Sequence, residues 1–497
     1  MCSTDSFTRL VYSTIVLASI QAEVDPCPAQ CNCTKFEVNC AHAGYKDFPD
    51  GFPKEMQILN FKINYVSQLT QRNMNPLANL QTLNLRTNNI SLIEVDAFAN
   101  MTNLVELMLD SNPLAILKDF VFSPLRRLRT LTLSQTNITV NPKAFVNLTL
   151  LSELRISNAG LRTFPEFYLH NKAVLPKLER LTLNSNSIDS VRRELLRGMD
   201  ALSNLALKGN RISKIDGNNF AGLRNLKTIS LDDNCRLKNV AYNAFNSTSL
   251  RQLSLSNTGF KVNQGSGAYV FQYIVNIMSL YLKNAEIIHN RGLIFQNLRS
   301  LVVLDLTNVN LAGLLPSEMF ANISQLKSLH MSKTNIGTYL NGDLFHPVAD
   351  SLKELDLADN KIAIINRTSL PEKLWSRLKR IDLSGNPFVC DCSLIWFRRW
   401  MKTANVSIFR TRDGSSNIKK YKCNGPSELH GVPIVELSNP TVEECTQAPY
   451  DWVFLMMLIV SLSLIIVSSI ASLLHRFRWH VKYWVFLYQV ILIFFGI

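Results

Sequence analysis

From Met56 to Asn386 one short phrase recurs about fourteen times. Its form is L-x-x-L-x-L-x-x-N, plainest in LQTLNLRTNNI (80–90), LSNLALKGNRI (202–212), LKELDLADNKI (352–362) and LKRIDLSGNPF (378–388). Repeat starts fall at 56, 80, 104, 128, 151, 178, 202, 226, 250, 277, 301, 326, 352 and 378. The resulting spacings run from 23 to 27 residues. A period of that size commits the chain to a stack of like units, each burying its apolar face against the next. A chain of 497 residues is long enough for several compact domains, yet the repeat predicts one elongated unit over most of it.

Strand alternation assigns the faces. In L-x-L the two leucines point into the stack and the residue between them points out. The ninth-position asparagines (Asn64, Asn88, Asn112, Asn186, Asn210, Asn234, Asn360 and Asn386) are expected inside, bonded to backbone groups the turning chain leaves unpaired. Thr136, Thr258 and Thr334 can partly replace them; Ala159, Ala285 and Val309 cannot, although Asn158, Asn284 and Asn308 stand one place earlier. About ten residues further on comes a second anchor: Phe98, Phe122, Phe145, Phe220, Phe245, Phe295, Phe320 and Phe345. Strands stack at ~4.8 Å while the bulkier outer arms need more room, so the array curves with its strands on the concave side. Thirteen such steps give a strand face roughly 60 Å long, a surface for a macromolecule. Period, phrase and curvature together define an α/β leucine-rich-repeat solenoid, a horseshoe with parallel strands on its concave face.

The outward strand positions are chemically mixed: Asn84, Met108, Thr132, Arg155, Thr182, Ala206, Ser230, Ser254, Tyr281, Asp305, His330, Asp356 and Asp382. No uniform stripe names a ligand, but the three aspartates make the C-terminal half acidic around His330. Arg155, Tyr281, Asp305, His330 and Asp356 are the candidates for a ligand face. Two repeats are long, 151–177 and 250–276, and the second carries NQGSGAYVFQY (263–273), a candidate loop on one face.

Residues 1–22 combine Arg9, the apolar run LVYSTIVLASI (10–20) and Ala22, and read as a secretory signal peptide. Four cysteines follow within 23–55, at 27, 31, 33 and 40. In a cytosolic chain they would suggest zinc; behind an export signal they predict two disulfides capping the first repeat. The segment 387–446 repeats the device with Cys390, Cys392, Cys423 and Cys445. Cys390 and Cys392 are too close to pair with each other easily, so each should reach a later cysteine. Spacing alone leaves three pairings per cap. Cys235, inside a repeat, is expected to be a buried inert thiol, with an intermolecular disulfide as the alternative.

Nine N-x-S/T sequons, at Asn32, Asn89, Asn100, Asn137, Asn147, Asn246, Asn322, Asn366 and Asn405, predict a glycoprotein whose sugars restrict where a partner can dock. Net charge is +14, and part of it is concentrated in 398–422, where eight Lys and Arg face only Asp413. Such a run could attract a polyanion; it reads better as a solvated face near the membrane, since charge alone carries no sequence readout. The uncharged stretch 453–474, ~33 Å long as a helix, matches a ~30 Å hydrocarbon core. His475, Arg476, Arg478, His480 and Lys482 follow it, which places 475–497 in the cytoplasm as a short basic, then apolar tail and the repeats outside. There is no H-E-x-x-H, G-x-S-x-G or phosphate-binding glycine loop, so no enzymatic activity, metal or cofactor is expected.

The cysteine caps resemble those of extracellular leucine-rich-repeat proteins. That resemblance implies Cys27–Cys33 with Cys31–Cys40, and Cys390–Cys423 with Cys392–Cys445. With the span and the phrase HRFRWHVKYWVFL (475–487), the whole architecture resembles the Toll-like receptor family. The resemblance implies a single-pass type I pattern-recognition receptor of innate immunity at the cell or an endosomal membrane. Such a receptor binds a microbial product or another macromolecule and pairs with itself or with a full-length Toll-like receptor. The family's intracellular signalling domain, of order 150 residues, is not found in 475–497, so a truncated, decoy or accessory receptor is expected. The alternative is a cell-adhesion protein of neuronal type, whose solenoid meets a protein on another cell.

Overall fold

The computed structural model describes residues 27–262, 270–287, 294–312, 317–404, 406–408, 418–437 and 452–495. The signal sequence, Asn405 and Cys445 lie outside them, as does 263–269 of the second long repeat.

Fourteen three-residue strands, from Ile58–Asn60 to Arg380–Asp382, each begin two residues after a repeat start. They pair in parallel and in register, so that Leu83, Leu107, Leu131 and Leu154 form one buried column. The sheet has 17 strands because both ends extend it. At the N-terminal end Glu37–Asn39 lies parallel to Ile58–Asn60 and pairs antiparallel with Asn32–Cys33; at the other, Ser407–Ile408 lies parallel to Arg380–Asp382. The first long repeat spends its extra residues on a small hairpin, Tyr168–Leu169 against Lys172–Ala173.

An asparagine ladder ties the turns together. Asn112 Nδ2 donates to Leu85 O and Leu109 O, both at 2.9 Å, and its Oδ1 accepts from Ile90 N at 3.0 Å. Asn210 repeats this with Leu183 O, Leu207 O and Ile188 N. Each ladder bond is worth ~1 kcal/mol net, but leaving a buried backbone group unmade costs more, which is why a polar side chain persists in an apolar stack. Asn88 makes the same bonds while only half-buried, so its position is less internal than its sequence place implies. Thr136, Thr258 and Thr334 each keep the bond to the carbonyl three residues back.

The residue before each ladder position has positive φ in all fourteen repeats, from Ile63 (59°) to Gly385 (70°). Asn158, Asn284 and Asn308 occupy that place. They are there because asparagine tolerates left-handed backbone, and they are no displaced ladder members. The predicted phenylalanine row is buried throughout, with ring centroids 6.0 Å apart for Phe98–Phe122 and Phe122–Phe145, continuing to Phe167 at 5.5 Å.

Cys235 corrects an expectation: its thiol is exposed and free. It follows Asn234, and the residue after the ladder asparagine faces outward in the regular repeats too, as Tyr65, Asn89 and Arg211 do. Leu237, not Cys235, turns back into the core.

Cys27 is bonded to Cys33, Cys31 to Cys40 and Cys390 to Cys423. Cys392 is also disulfide-bonded. The two caps differ in filling. Tyr45 and Phe48 close over Phe61 at the N-terminal end, whereas Phe388, Phe397 and the fully buried Tyr421 pack below the last repeat. Near the chain's C-terminal end one helix runs from Trp452 to Phe495, 44 residues without a break. Leu455–Leu473 within it is long and apolar enough to cross a membrane. The basic, then apolar residues from His475 to Phe495 continue the same helix, ~66 Å in all at 1.5 Å per residue.

Candidate functional site

Strand register sets the concave face. It brings Tyr281, Asp305, His330, Asp356 and Asp382 side by side on five consecutive strands. Arg155 stands apart, on a strand separated from Tyr281's by four others. Thr132 and Ser254, expected to face outward, are buried. Asp110 and Asp232 cover them in the same way: Asp110 accepts from Thr132 Oγ1 at 2.6 Å and from Ser134 N at 2.7 Å, and Asp232 accepts from Ser254 Oγ and from Ser256 N.

In the N-terminal half, charged groups on this face neutralise one another. Arg86 meets Asp110 at 2.6 Å. Glu153 lies between Arg180, at 2.8 Å, and Arg155, with only 11% of its own side chain exposed. Burial pushes the Glu153 carboxyl up, but hydrogen bonds and charge from Arg180 and Arg155 outweigh it, and its pKa lies below 4.5.

The last four repeats are arranged differently. Asp305, Asp356 and Asp382 share one row with His330, whose Nδ1 is 3.9 Å from Asp356 Oδ2 and whose Nε2 is 3.0 Å from Ser328 Oγ. Ser328 Oγ also donates to Glu354 at 3.0 Å, and Glu354 pairs with Arg380. The facing Asp356 carboxylate raises the His330 pKa; burial pulls the other way, and Asp305 and Glu354 add to the rise. Burial also raises the Asp382 pKa, bonds from Ser384 oppose this, and the like charges of Asp356 and Asp359 add to it. Three positions before this row, ~10 Å along the strands, lies another that sequence reading missed: Lys327, Lys353 and Lys379, all exposed and linked through successive backbone bonds. The signal was present in the repeat phrase, one place after its first leucine. A lysine row and an aspartate row thus run side by side across the last repeats.

The sequon asparagines Asn32, Asn89, Asn100, Asn137, Asn147, Asn246, Asn322 and Asn366 are all exposed, and those within the repeats lie off the strands. In the basic cap Lys419 is paired with Glu436 at 2.8 Å, while Arg410 and Arg412 lie outside the described residues.

Comparison with known proteins places this geometry. The family described as Leucine rich repeat matches residues 54–114, 102–161, 176–235 and 200–260. Toll-like receptor 7 of Mus musculus is 29% identical over 134 residues, 27% of this chain and 12% of that protein. CD180 antigen of Mus musculus is 24% identical over 384 residues, 71% of this chain and 54% of that protein. The chain therefore spans well under two thirds of these relatives. The solved structure of TLR13 with ssRNA13 superposes with a TM-score of 0.60 at 24% identity, covering 78% of this chain and 57% of that one. Repeat matches and a shared solenoid agree that this is a leucine-rich-repeat chain, similar over its repeats to Toll-like receptors and to CD180 antigen.

Proposed function

We propose that this chain is a type I membrane receptor of innate immunity that captures an extracellular macromolecule on its concave face. The observation that carries the reading is the strand face of the last four repeats, where opposite charges lie in parallel rows and no sequon intrudes. Paired rows of opposite sign suit a partner with its own patterned charge, a protein or a charged microbial polymer, because complementarity there sets orientation and on-rate. Relatives of this fold are solved with macromolecular partners: TLR13 with ssRNA13, Toll with Spatzle and RP105 with MD-1. The apolar segment Leu455–Leu473 supplies the anchor, and the basic residues from His475 to Lys482 orient it with the repeats outside.

The test is capture by cells displaying the full chain, challenged with labelled microbial products and candidate proteins. Reversing Asp356 and Asp382 to Lys should abolish capture while surface display stays normal, and Lys353→Glu should weaken it. Capture that survives both changes would place the binding face elsewhere. Aggregation of expressing cells without any added product would instead favour the adhesion reading.

A further inference from the structure

At the C-terminal end of the solenoid, away from the strand face, a groove of about 990 Å³ opens between two short helices, Glu372–Arg377 and Ile395–Thr403. Its walls are indoles. Trp375 meets Trp396 edge-on at 5.3 Å and Trp400 at 4.9 Å, and Trp396, Arg399 and Trp400 share one face of their helix by spacing. Arg367 and Thr368 complete the lining. Those two residues belong to the sequon Asn366-Arg367-Thr368, and Trp375 Nε1 donates to Arg367 O at 3.2 Å, fastening the sequon loop to the groove.

We propose that this groove seats the first sugars of an N-glycan carried by Asn366. The inference rests on the exported, glycosylated reading of the chain. Three observations converge. Asn366 is exposed and its Oδ1 is tied down, accepting from Thr368 N at 3.0 Å and Thr368 Oγ1 at 2.8 Å, which leaves Nδ2 as the atom for modification. At Asn100, Asn147 and Asn246 the reverse holds, with Nδ2 donating to Asn75, Ser123 and Asn218. Second, a pyranose ring offers a C–H face that stacks on an indole and hydroxyls that need polar partners. The groove supplies both, with Asp343, His346 and Arg399 beside the tryptophans. Third, Trp396 Nε1 is buried without a hydrogen-bond partner among the described residues. A buried, unpartnered donor beside the groove gains by turning toward an acceptor, and the N-acetyl carbonyl of the first sugar is one.

The covalent step is transfer of an oligosaccharide from a polyprenyl-pyrophosphate donor. Asn366 Nδ2 forms the bond to the sugar's anomeric carbon, the sugar–phosphate bond breaks, the pyrophosphate leaves with the electron pair, and Nδ2 loses one proton. The glycan then acts as a wedge between the outer arm of the 352–377 repeat and the cap.

The test uses the full chain from mammalian cells held at high-mannose glycans and solubilised in detergent, with occupancy and trimming followed by glycopeptide mass spectrometry. Asn366 should be occupied, and endoglycosidase H should trim it at least about tenfold more slowly than Asn246 in the native protein and equally fast after denaturation. Trp396→Phe, which removes the indole N–H and part of the aromatic wall while keeping a ring there, should narrow that gap. Thr368→Ala, which removes the sequon, should shift tryptophan emission. An empty Asn366 beside occupied sequons elsewhere would overturn the proposal alone. Occupancy with equal native trimming and unchanged emission would overturn the seating. No occupancy at any sequon would overturn the exported reading beneath it.

Discussion

Glu153 and Asp382 are both carboxylates on the concave face, and the protein treats them in opposite ways. Glu153 has two arginines and a pKa held low; Asp382 is partly buried beside Asp356 and Asp359 and has a pKa pushed up. The first arrangement stabilises the fold at neutral pH, and the second works against it. Charge that a protein neutralises internally is structural. Charge it concentrates at a cost to its own stability calls for another explanation, and a binding surface provides one. The contrast separates the N-terminal half of the horseshoe from its C-terminal third.

The largest effect should come from breaking the structural side. Glu153→Ala leaves Arg155 and Arg180 facing each other and should lower stability by about 1–3 kcal/mol, since hydrogen bonds to charged groups are lost. Chemical denaturation of the purified protein would show it. Because the Glu153 pKa is depressed, its contribution is present above 4.5, the ordinary value, and fades as pH falls through the depressed one. The stability difference between wild type and variant should therefore shrink in acid. A constant difference would mean that packing, not charge, is what Glu153 supplies.

Next comes Tyr421, which props the acidic row from beneath. Its fully buried Oη accepts from Leu383 N at 2.9 Å, and burial together with the Asp382 charge raises its pKa. Tyr421→Phe strands a buried backbone N–H and should cost about 1–2 kcal/mol. If the cap and the site are coupled through this bond, the same variant should weaken ligand capture; a stability loss with capture intact would uncouple them.

His330 gives a smaller effect that depends on pH. Its pKa is raised, so the fold favours the protonated ring. That stabilisation is fully present below the ordinary 6.5 and is lost as pH rises through the raised value. Thermal melts of wild type and His330→Gln should differ most in mildly acidic buffer and converge in alkaline buffer. NMR titration of the ring would locate the pKa directly, and a value at or below 6.5 would contradict the role given to Asp356.

How legible this was depends on whether a feature repeats. Leu83, Leu107 and Leu131 recur in phase, so strand positions, parallel register and the phenylalanine row follow from spacing, and so does the aspartate row around His330. Cys235 was misread by hydrophobicity, although the outward place it occupies is shared by Tyr65 and Arg211. The lysine row lies outside the L-x-L positions that strand alternation marks as outward, so that rule does not point to it. Glu153 sits where a strand begins, and only the register shows that Arg180 on the next strand reaches it. The tryptophan groove was out of reach: it depends on how the helix Ile395–Thr403 meets Glu372–Arg377, a contact made once and set by no period.

The smallest effect tests the contrast most sharply because its sign is unusual. Asp382→Asn keeps an oxygen to accept the Ser384 N–H, now bonded at 2.9 Å, and removes the charge. A carboxyl whose folded pKa is raised binds its proton more tightly folded than unfolded, so its ionised form opposes folding and the penalty grows as pH rises. The variant should therefore be more stable than wild type at neutral pH, by less than about 1 kcal/mol, and equal to it in acid where both side chains are neutral. Most substitutions destabilise, so a gain here would mark Asp382 as retained for something other than the fold, and ligand capture should fall as stability rises. A loss of stability at every pH would make Asp382 as structural as Glu153 and dissolve the distinction.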